Sequence, residues 1–251
     1  MKFSKKIFLL IRAACLASLL NATVPLRADD TMAQPGQPVQ SGQLHYLAEG
    51  KPDVIALLAP PPPPDSPEQA ADMAEVKAVF HAAGSNDIAA AYSEKKFDIF
   101  NFTHAIGGFF QPGKFPRTED FFEKVQKDAE AVTDGAKDFY RRPRPYTTDP
   151  SLASGKLEKS FSYPSGHSTE SMVLALVLAD LFPDQHDAII AHARLIGWHR
   201  VEIARHYPTD IYAGRVLAQA IVRQMKESDA FQKDFAEAKA EVAAAQTAGK
   251  N

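Results

Sequence analysis

A single cysteine, Cys15, stands among the 251 residues. It falls within the first 28 residues, so the body of the chain is expected to hold neither a disulfide nor a reactive thiol. Glycine is sparse too, with 13 residues, which excludes a collagen-like repeat. Apolar residues make up 45% and charged residues 24%; disorder would need fewer of the first and a larger imbalance in the second. Long apolar runs are missing beyond the N-terminal stretch. The longest, Met172 to Ala179, falls far short of the ~20 residues that span a bilayer, so no membrane span is expected. Nor is positive charge in excess. The 28 Lys and Arg face 31 Asp and Glu, which argues against a general nucleic-acid binder while leaving room for a local basic pocket. What remains is an ordinary globular composition, enough for one domain or two at most.

The first 28 residues carry five cations (Lys2, Lys5, Lys6, Arg12, Arg27) and no acid. A basic start precedes an apolar stretch from Ile7 to Leu20, broken by Arg12, and Leu26-Arg27-Ala28 before Asp29 offers a cleavage site. That is the layout of a secretory signal peptide over residues 1–28. The alternative is an amphipathic helix that stays attached. Removing the leader moves the net charge from −3 to −8. The expectation is a soluble mature protein exported to the periplasm.

Residues 29 to about 50 are rich in Gln, Gly, Pro and Ser and read as a poorly ordered arm. Val54 to Leu58 forms a short apolar patch running into Pro60 to Pro64, which must be extended polyproline II. This arm, 29–65, serves either as a spacer or as a strap across the body. From Ser66 the signals are helical. Ser66-Pro67-Glu68 makes an N-cap and first turn of a segment closing near Gly84. Residues 86–96 and 98–107 read as two further short helices. Phe121, Val125, Ala129, Val132, Ala136 and Phe139 form one stripe of a long helix capped by Thr118 and ended by Pro143. Residues 168–182 are apolar nearly all round, as in a central buried helix. Residues 184–205, 209–225 and 229–245 complete the set, the last as an Ala/Glu/Lys-rich surface helix. No alternating strand, internal repeat or second-domain linker is visible. The reading is an all-α single domain over 66–251.

Four features resist explanation by packing. Arg200 stands in the series Ile189, Ala193, Ile196, Arg200, Ile203, which otherwise marks a buried face. A guanidinium there needs an anion or carbonyls, because an unpaired buried charge costs several kcal/mol; an internal salt bridge would satisfy it. Pro164-Ser165-Gly166-His167 precedes the most apolar helix. Free N–H groups at a helix start, a glycine allowing close approach and a serine hydroxyl together suit an anion, though a plain N-cap explains them as well. Lys137 and Arg141-Arg142-Pro143-Arg144 gather cations at a helix C-terminus, where a solvated face is the default. Finally, Asp210 follows His206 by four residues, near enough to orient its ring.

Taken in order, Lys137-x6-Arg144-Pro145, Pro164-Ser165-Gly166-His167 and Arg200-x5-His206-x3-Asp210 resemble the three-part signature of the type 2 phosphatidic acid phosphatase superfamily. Soluble bacterial class A non-specific acid phosphatases belong to it. The likeness spans residues 137 to 210, and Leu57-Leu58-Ala59-Pro60 to Ser66 is similar to the proline-rich lead-in of the class A enzymes. One position departs: the third motif usually begins Ser-Arg, where this chain has His199-Arg200. His192 and His199, seven apart on one helix, lack a third partner in register, so no metal site is expected.

The resemblance implies a helical bundle of the acid phosphatase/vanadium haloperoxidase type. It implies that Lys137, Arg144 and Arg200 hold the non-bridging oxygens of a phosphate, with Ser165, the Gly166 N–H and His167 completing the cradle. Each cation about 5 Å from a unit negative charge gains roughly 3 kcal/mol at an effective dielectric of about 20. His206 is implied as the nucleophile, Asp210 as the group orienting it, and His167 as the acid that protonates the leaving oxygen. Cations stand where metal ions otherwise would, so neither metal nor organic cofactor is implied. The implied substrates are small phosphate monoesters, with inorganic phosphate or vanadate as inhibitors. Phosphotransfer to alcohols and a homo-oligomer are left open. The same residues hold vanadate in vanadium-dependent haloperoxidases, and a non-catalytic phosphate-binding protein would keep the cradle without turnover. With His167 charged and His206 neutral, a bell-shaped rate profile with an optimum at about pH 5 to 6.5 is expected.

Overall fold

The computed structural model describes residues 44–248, all within one compact unit. The leader of 1–28 and the arm up to residue 43 lie outside the described residues. The α-helices are α1 (Val54–Leu57), α2 (Pro67–Ala82), α3 (Ser85–Ser93), α4 (Thr103–Ile106), α5 (Pro116–Tyr140), α6 (Pro145–Thr148), α7 (Gly166–Leu181), α8 (His186–Glu202), α9 (Pro208–Met225) and α10 (Asp229–Ala248). Short 3-10 turns at Ile99–Phe102, Pro150–Leu152 and Pro183–Gln185 join them. There is no strand among the described residues, and the fold is all-α.

Local chemistry sets most boundaries. The Ser66 hydroxyl accepts from the Gln69 N–H at 3.1 Å, with Pro67 at the first helical position. Helix α5 also starts on a proline, Pro116, and its N-cap is Phe115, without a side-chain bond. Thr118 is therefore not the cap. It lies inside the first turn, buried, and donates to the Glu241 carboxylate of α10 at 2.7 Å. At the other end Arg141 turns left-handed (φ 49°), and its N–H closes on the Lys137 carbonyl at 2.9 Å. Phe139, at the end of the apolar stripe, faces outward.

Helix α7 is the axis of the domain. Met172 to Ala175, Val177 to Ala179 and Leu181 are all buried, between α5, α8 and α9. Small residues let the neighbours close in. A Cβ on Gly214 of α9 would lie 2.9 Å from the Ser165 carbonyl oxygen, and one on Gly197 of α8 would lie 3.1 Å from the Ser168 hydroxyl. Backbone contact at this end of α7 is what brings the starts of α7 and α9 together.

Two further expectations change. The final helix is half core: Phe231, Ala238 and Val242 are buried against α5, so α10 is more than a surface helix. The end of the arm is also anchored. The buried Asp128 carboxylate of α5 accepts from three successive N–H groups, those of His45 (2.8 Å), Tyr46 (2.8 Å) and Leu47 (3.1 Å). Downstream, the Tyr140 and Tyr163 hydroxyls donate to the Leu58 and Ala59 carbonyls at 2.9 and 2.6 Å. These bonds hold the lead-in to the proline run against the body.

Candidate active site

His206 sits in the tight link between α8 and α9, with almost no exposure. Its Nδ1 lies 2.8 Å from the Ser162 carbonyl oxygen, an atom that can only accept. That contact places the proton on Nδ1 and leaves Nε2 as the ring's lone-pair nitrogen. Asp210 is the second partner of Nδ1, at 3.3 Å. The expected orienting role of Asp210 is thus shared with a backbone carbonyl, which is closer. Nε2 faces Arg144 Nη1 at 3.2 Å. Burial first, then the Arg144 guanidinium, holds the ring well below the usual imidazole range.

Asp210 is fully buried. Burial pushes its carboxyl up, while Arg142, the Ser162 hydroxyl and the Tyr207 N–H work against that push. Arg142 Nη1 and Ser162 Oγ each donate to it at 2.5 Å, and the Tyr207 N–H at 2.9 Å. Arg142 is the hub. It also donates to Thr209 Oγ1 (2.7 Å), Gln69 Oε1 (2.6 Å) and Asp72 Oδ2 (2.6 Å), and its guanidinium lies over the Tyr207 ring at 3.8 Å. An Asp72–Arg142–Asp210 chain therefore ties α2 to the start of α9. The sequence alone places Arg142 among solvated cations and singles out neither Ser162 nor Asp72. A local pattern carries no signal for them, because the partners of Arg142 lie about 70 residues away on either side.

Arg144 and Arg200 are both buried. Arg144 donates Nε to the Ser160 carbonyl (2.8 Å), Nη1 to the Arg205 carbonyl (2.9 Å) and Nη2 to Ser160 Oγ (3.0 Å). Its Nη2 also meets Glu158 Oε2 at 2.6 Å, and Arg200 Nη2 meets Glu158 Oε1. Arg200 does have an internal salt bridge, with a residue not anticipated.

The start of α7 faces the same place. Ser165 is its N-cap, accepting from the Ser168 N–H at 3.3 Å, which leaves its own hydroxyl hydrogen to give. Gly166 follows in the first turn. A Cβ there would lie 3.1 Å from Lys137 Nζ and 3.2 Å from Glu170 Oε1. Lys137 is itself buried apart from a contact to Asp134 at 3.1 Å. Burial pushes the Glu170 carboxyl up to about 7, with Lys137 pulling the other way. A raised acid is stabilising in its neutral form. The folded state therefore loses stability as pH rises from 4.5 toward 7. Glu170→Gln is expected to raise the stability at pH 8 by up to about 3 kcal/mol, at ~1.4 kcal/mol per pH unit, and to leave it unchanged at pH 4. Thermal unfolding at both pH values checks this.

His167 Nε2 lies 3.2 Å from the Glu94 carbonyl oxygen. Burial, then Arg200 and Lys137, hold its ring well below the usual range. Burial and the neighbouring cations thus oppose the charged form of His167 that the sequence leads one to expect. The Glu94 carboxylate meets His199 Nδ1 at 2.8 Å, a bond that raises the His199 imidazole. His199, the departure from the usual serine, thus acts on the residue that also holds His167. His192 instead packs against the His104 ring, centroids 4.2 Å apart. Among the described residues no three His, Cys, Asp or Glu side chains are grouped to hold a metal ion.

A family model for the PAP2 superfamily matches residues 129–228, the stretch running from Lys137 past Asp210. This part of the chain is similar to the PAP2 superfamily. The acid phosphatase of Zymomonas mobilis is 27% identical over 204 residues, 78% of this chain and 77% of that protein. A non-specific acid phosphatase of Providencia stuartii is 31% identical over 148 residues, 57% of this chain and 60% of its own length. Among solved structures, the transmembrane PAP2-type phosphatidylglycerolphosphate phosphatase of Bacillus subtilis superposes with a TM-score of 0.46 at 20% identity, over 65% of this chain and 87% of that one. Among the residues described here, no helix is long and apolar enough to cross a membrane.

Proposed function

We propose that the chain is an acid phosphatase that hydrolyses small phosphate monoesters through a phosphohistidine, and that the leader of 1–28 exports it to the periplasm. The observation that carries this reading is the His206 ring, its Nδ1 proton committed to the Ser162 carbonyl and its Nε2 turned to Arg144. The acid phosphatase relatives support the reaction class.

A phosphate held by Lys137, Arg144, Arg200, the Ser165 hydroxyl and the Gly166 N–H presents phosphorus to His206 Nε2. The Nε2 lone pair forms the N–P bond as the ester P–O bond breaks, and His167 gives its proton to the departing oxygen. Water then attacks the phosphohistidine while His167 takes a proton from it, which releases phosphate and restores both rings. An alcohol in place of water yields phosphotransfer. His167 is neutral beside the three cations, and the arriving phosphate dianion reverses their effect on its proton affinity. Charge stabilisation by the fixed cations supplies most of the rate.

The pH dependence follows from the same groups. Protonation of His206, which must attack as the neutral ring, limits the acid side. Ionisation of Glu170 near pH 7 adds a negative charge beside the cradle and weakens phosphate binding on the alkaline side. The optimum is expected on the acid side, at about pH 5 to 6.5. His167→Ala is expected to slow alkyl phosphates far more than p-nitrophenyl phosphate, whose leaving group needs little protonation. Equal losses for both esters would remove His167 from the acid role. The reading as a whole is tested with p-nitrophenyl phosphate in the presence of EDTA, with and without vanadate. Turnover that survives EDTA and is blocked by vanadate is the expected result; loss of turnover in EDTA counts against it.

A further inference from the structure

The stretch from Ala153 to Ser160 runs over the surface, and most of its side chains are exposed. Glu158 is the exception that matters. Its carboxylate is turned in and bridges two buried guanidinium groups, Arg144 through Oε2 at 2.6 Å and Arg200 through Oε1. These are two of the three cations assigned above to phosphate. The backbone around it is tied to the body: Tyr146 Oη donates to the Glu158 carbonyl at 2.9 Å and accepts from its N–H at 3.2 Å, Arg205 Nη2 reaches the Ser154 and Lys156 carbonyls, and Arg144 holds Ser160.

A planar carboxylate is an incomplete fit. All the donors of Arg144 are engaged, with Ser160, Arg205, His206 and Glu158. Arg200, by contrast, keeps a buried Nε with no partner. A buried guanidinium donor left unpaired is costly. Two carboxylate oxygens do not reach every donor, whereas a tetrahedral oxyanion with three free oxygens offers one more acceptor. Two buried like charges also need an anion to be tolerated at all, and Glu158 is the acid this chain supplies.

We propose that Glu158 is a tethered stand-in for the substrate phosphate, a carboxylate that binds Arg144 and Arg200 until a phosphate displaces it and the Glu158 side chain swings out. The proposal rests on the phosphatase reading for the identity of the incoming group, though not for the competition itself. Phosphate then binds only to the fraction of molecules in which Glu158 has left, and its apparent affinity is lowered by that fraction. Glu158 sets the substrate concentration at which the site fills.

The test is the dissociation constant of inorganic phosphate, measured by titration calorimetry on the full chain, for the parent, Glu158→Gln and Glu158→Asp. Glutamine keeps the shape without the charge, and aspartate keeps the charge but withdraws it by one methylene. Both are expected to bind phosphate more tightly, glutamine by about tenfold or more, and to gain more thermal stability from phosphate than the parent does. Should Glu158→Gln not fold, Glu158→Asp alone decides. Unchanged or weaker phosphate binding in the variants that fold would overturn the proposal and leave Glu158 a plain salt-bridge partner. Turnover of p-nitrophenyl phosphate, measured alongside, separates the two ideas. Tighter phosphate binding without turnover in any form supports the competition and sinks the phosphatase reading. Turnover with unchanged phosphate affinity does the reverse.

Discussion

His206→Ala is expected to lower kcat by ~10⁴-fold or more, while inorganic phosphate and vanadate still bind. The two effects separate because binding and attack are carried by different groups. Lys137, Arg144, Arg200, Ser165 and Gly166 keep their positions in the variant: Arg144 loses its contact with the ring but keeps Ser160 and Arg205, and Ser165 is held by the first turn of α7. The ring itself contributes a lone pair whose direction is set by the Ser162 carbonyl at 2.8 Å. Without it, water must attack phosphorus directly, with no group placed behind it. Steady-state kinetics and a phosphate titration on the same preparation check both halves. A variant that retains more than about one part in a hundred of the activity would place the nucleophile elsewhere.

Arg142→Met is expected to cost the fold about 3–5 kcal/mol, the usual penalty for removing one partner of a buried ion pair. Here a single side chain serves two buried carboxylates, Asp72 and Asp210, at 2.6 and 2.5 Å. Methionine fills similar space but leaves both acids without a cation. Because Asp210 also supports His206 Nδ1, activity should fall in whatever fraction stays folded. Urea unfolding gives the first number, and a double-mutant cycle with Asp72→Asn shows whether the chain from α2 is coupled. A loss below about 1 kcal/mol would mean that the network is not what joins α2 to the site.

The Arg142 case marks where sequence reasoning stops. Helix α7 was legible because eight successive apolar residues have no other place to go, and Ser66, Pro67 and Pro208 mark helix starts by chemistry confined to one turn. The side chains of the candidate site were legible for a related reason: they fall in three short blocks whose order and spacing are the signal. Arg142, Asp72 and Glu158 obey no such local rule. Arg142 is directed inward by the left-handed turn at Arg141, and nothing in Arg-Arg-Pro-Arg says which arginine takes that direction. Glu158 belongs to a polar surface stretch in which one acid among lysines and serines looks solvated until Arg144 and Arg200 are placed beneath it. Thr118 misled for the opposite reason. It satisfies a cap rule, but Pro116 starts the helix two residues earlier, and the hydroxyl is drawn to Glu241 on α10. Pairings across 14 to more than 120 residues decide these positions, and periodicity does not report on them.

The central claim is that the phosphoryl group passes through His206, and the most direct measurement of it is the stereochemical course at phosphorus. A phosphate ester made chiral with oxygen isotopes and sulfur, hydrolysed in labelled water, gives a product whose configuration phosphorus NMR reads. Two successive in-line displacements, first by His206 Nε2 and then by water, invert twice, so the account predicts net retention. Net inversion would mean a single direct attack by water and would contradict it.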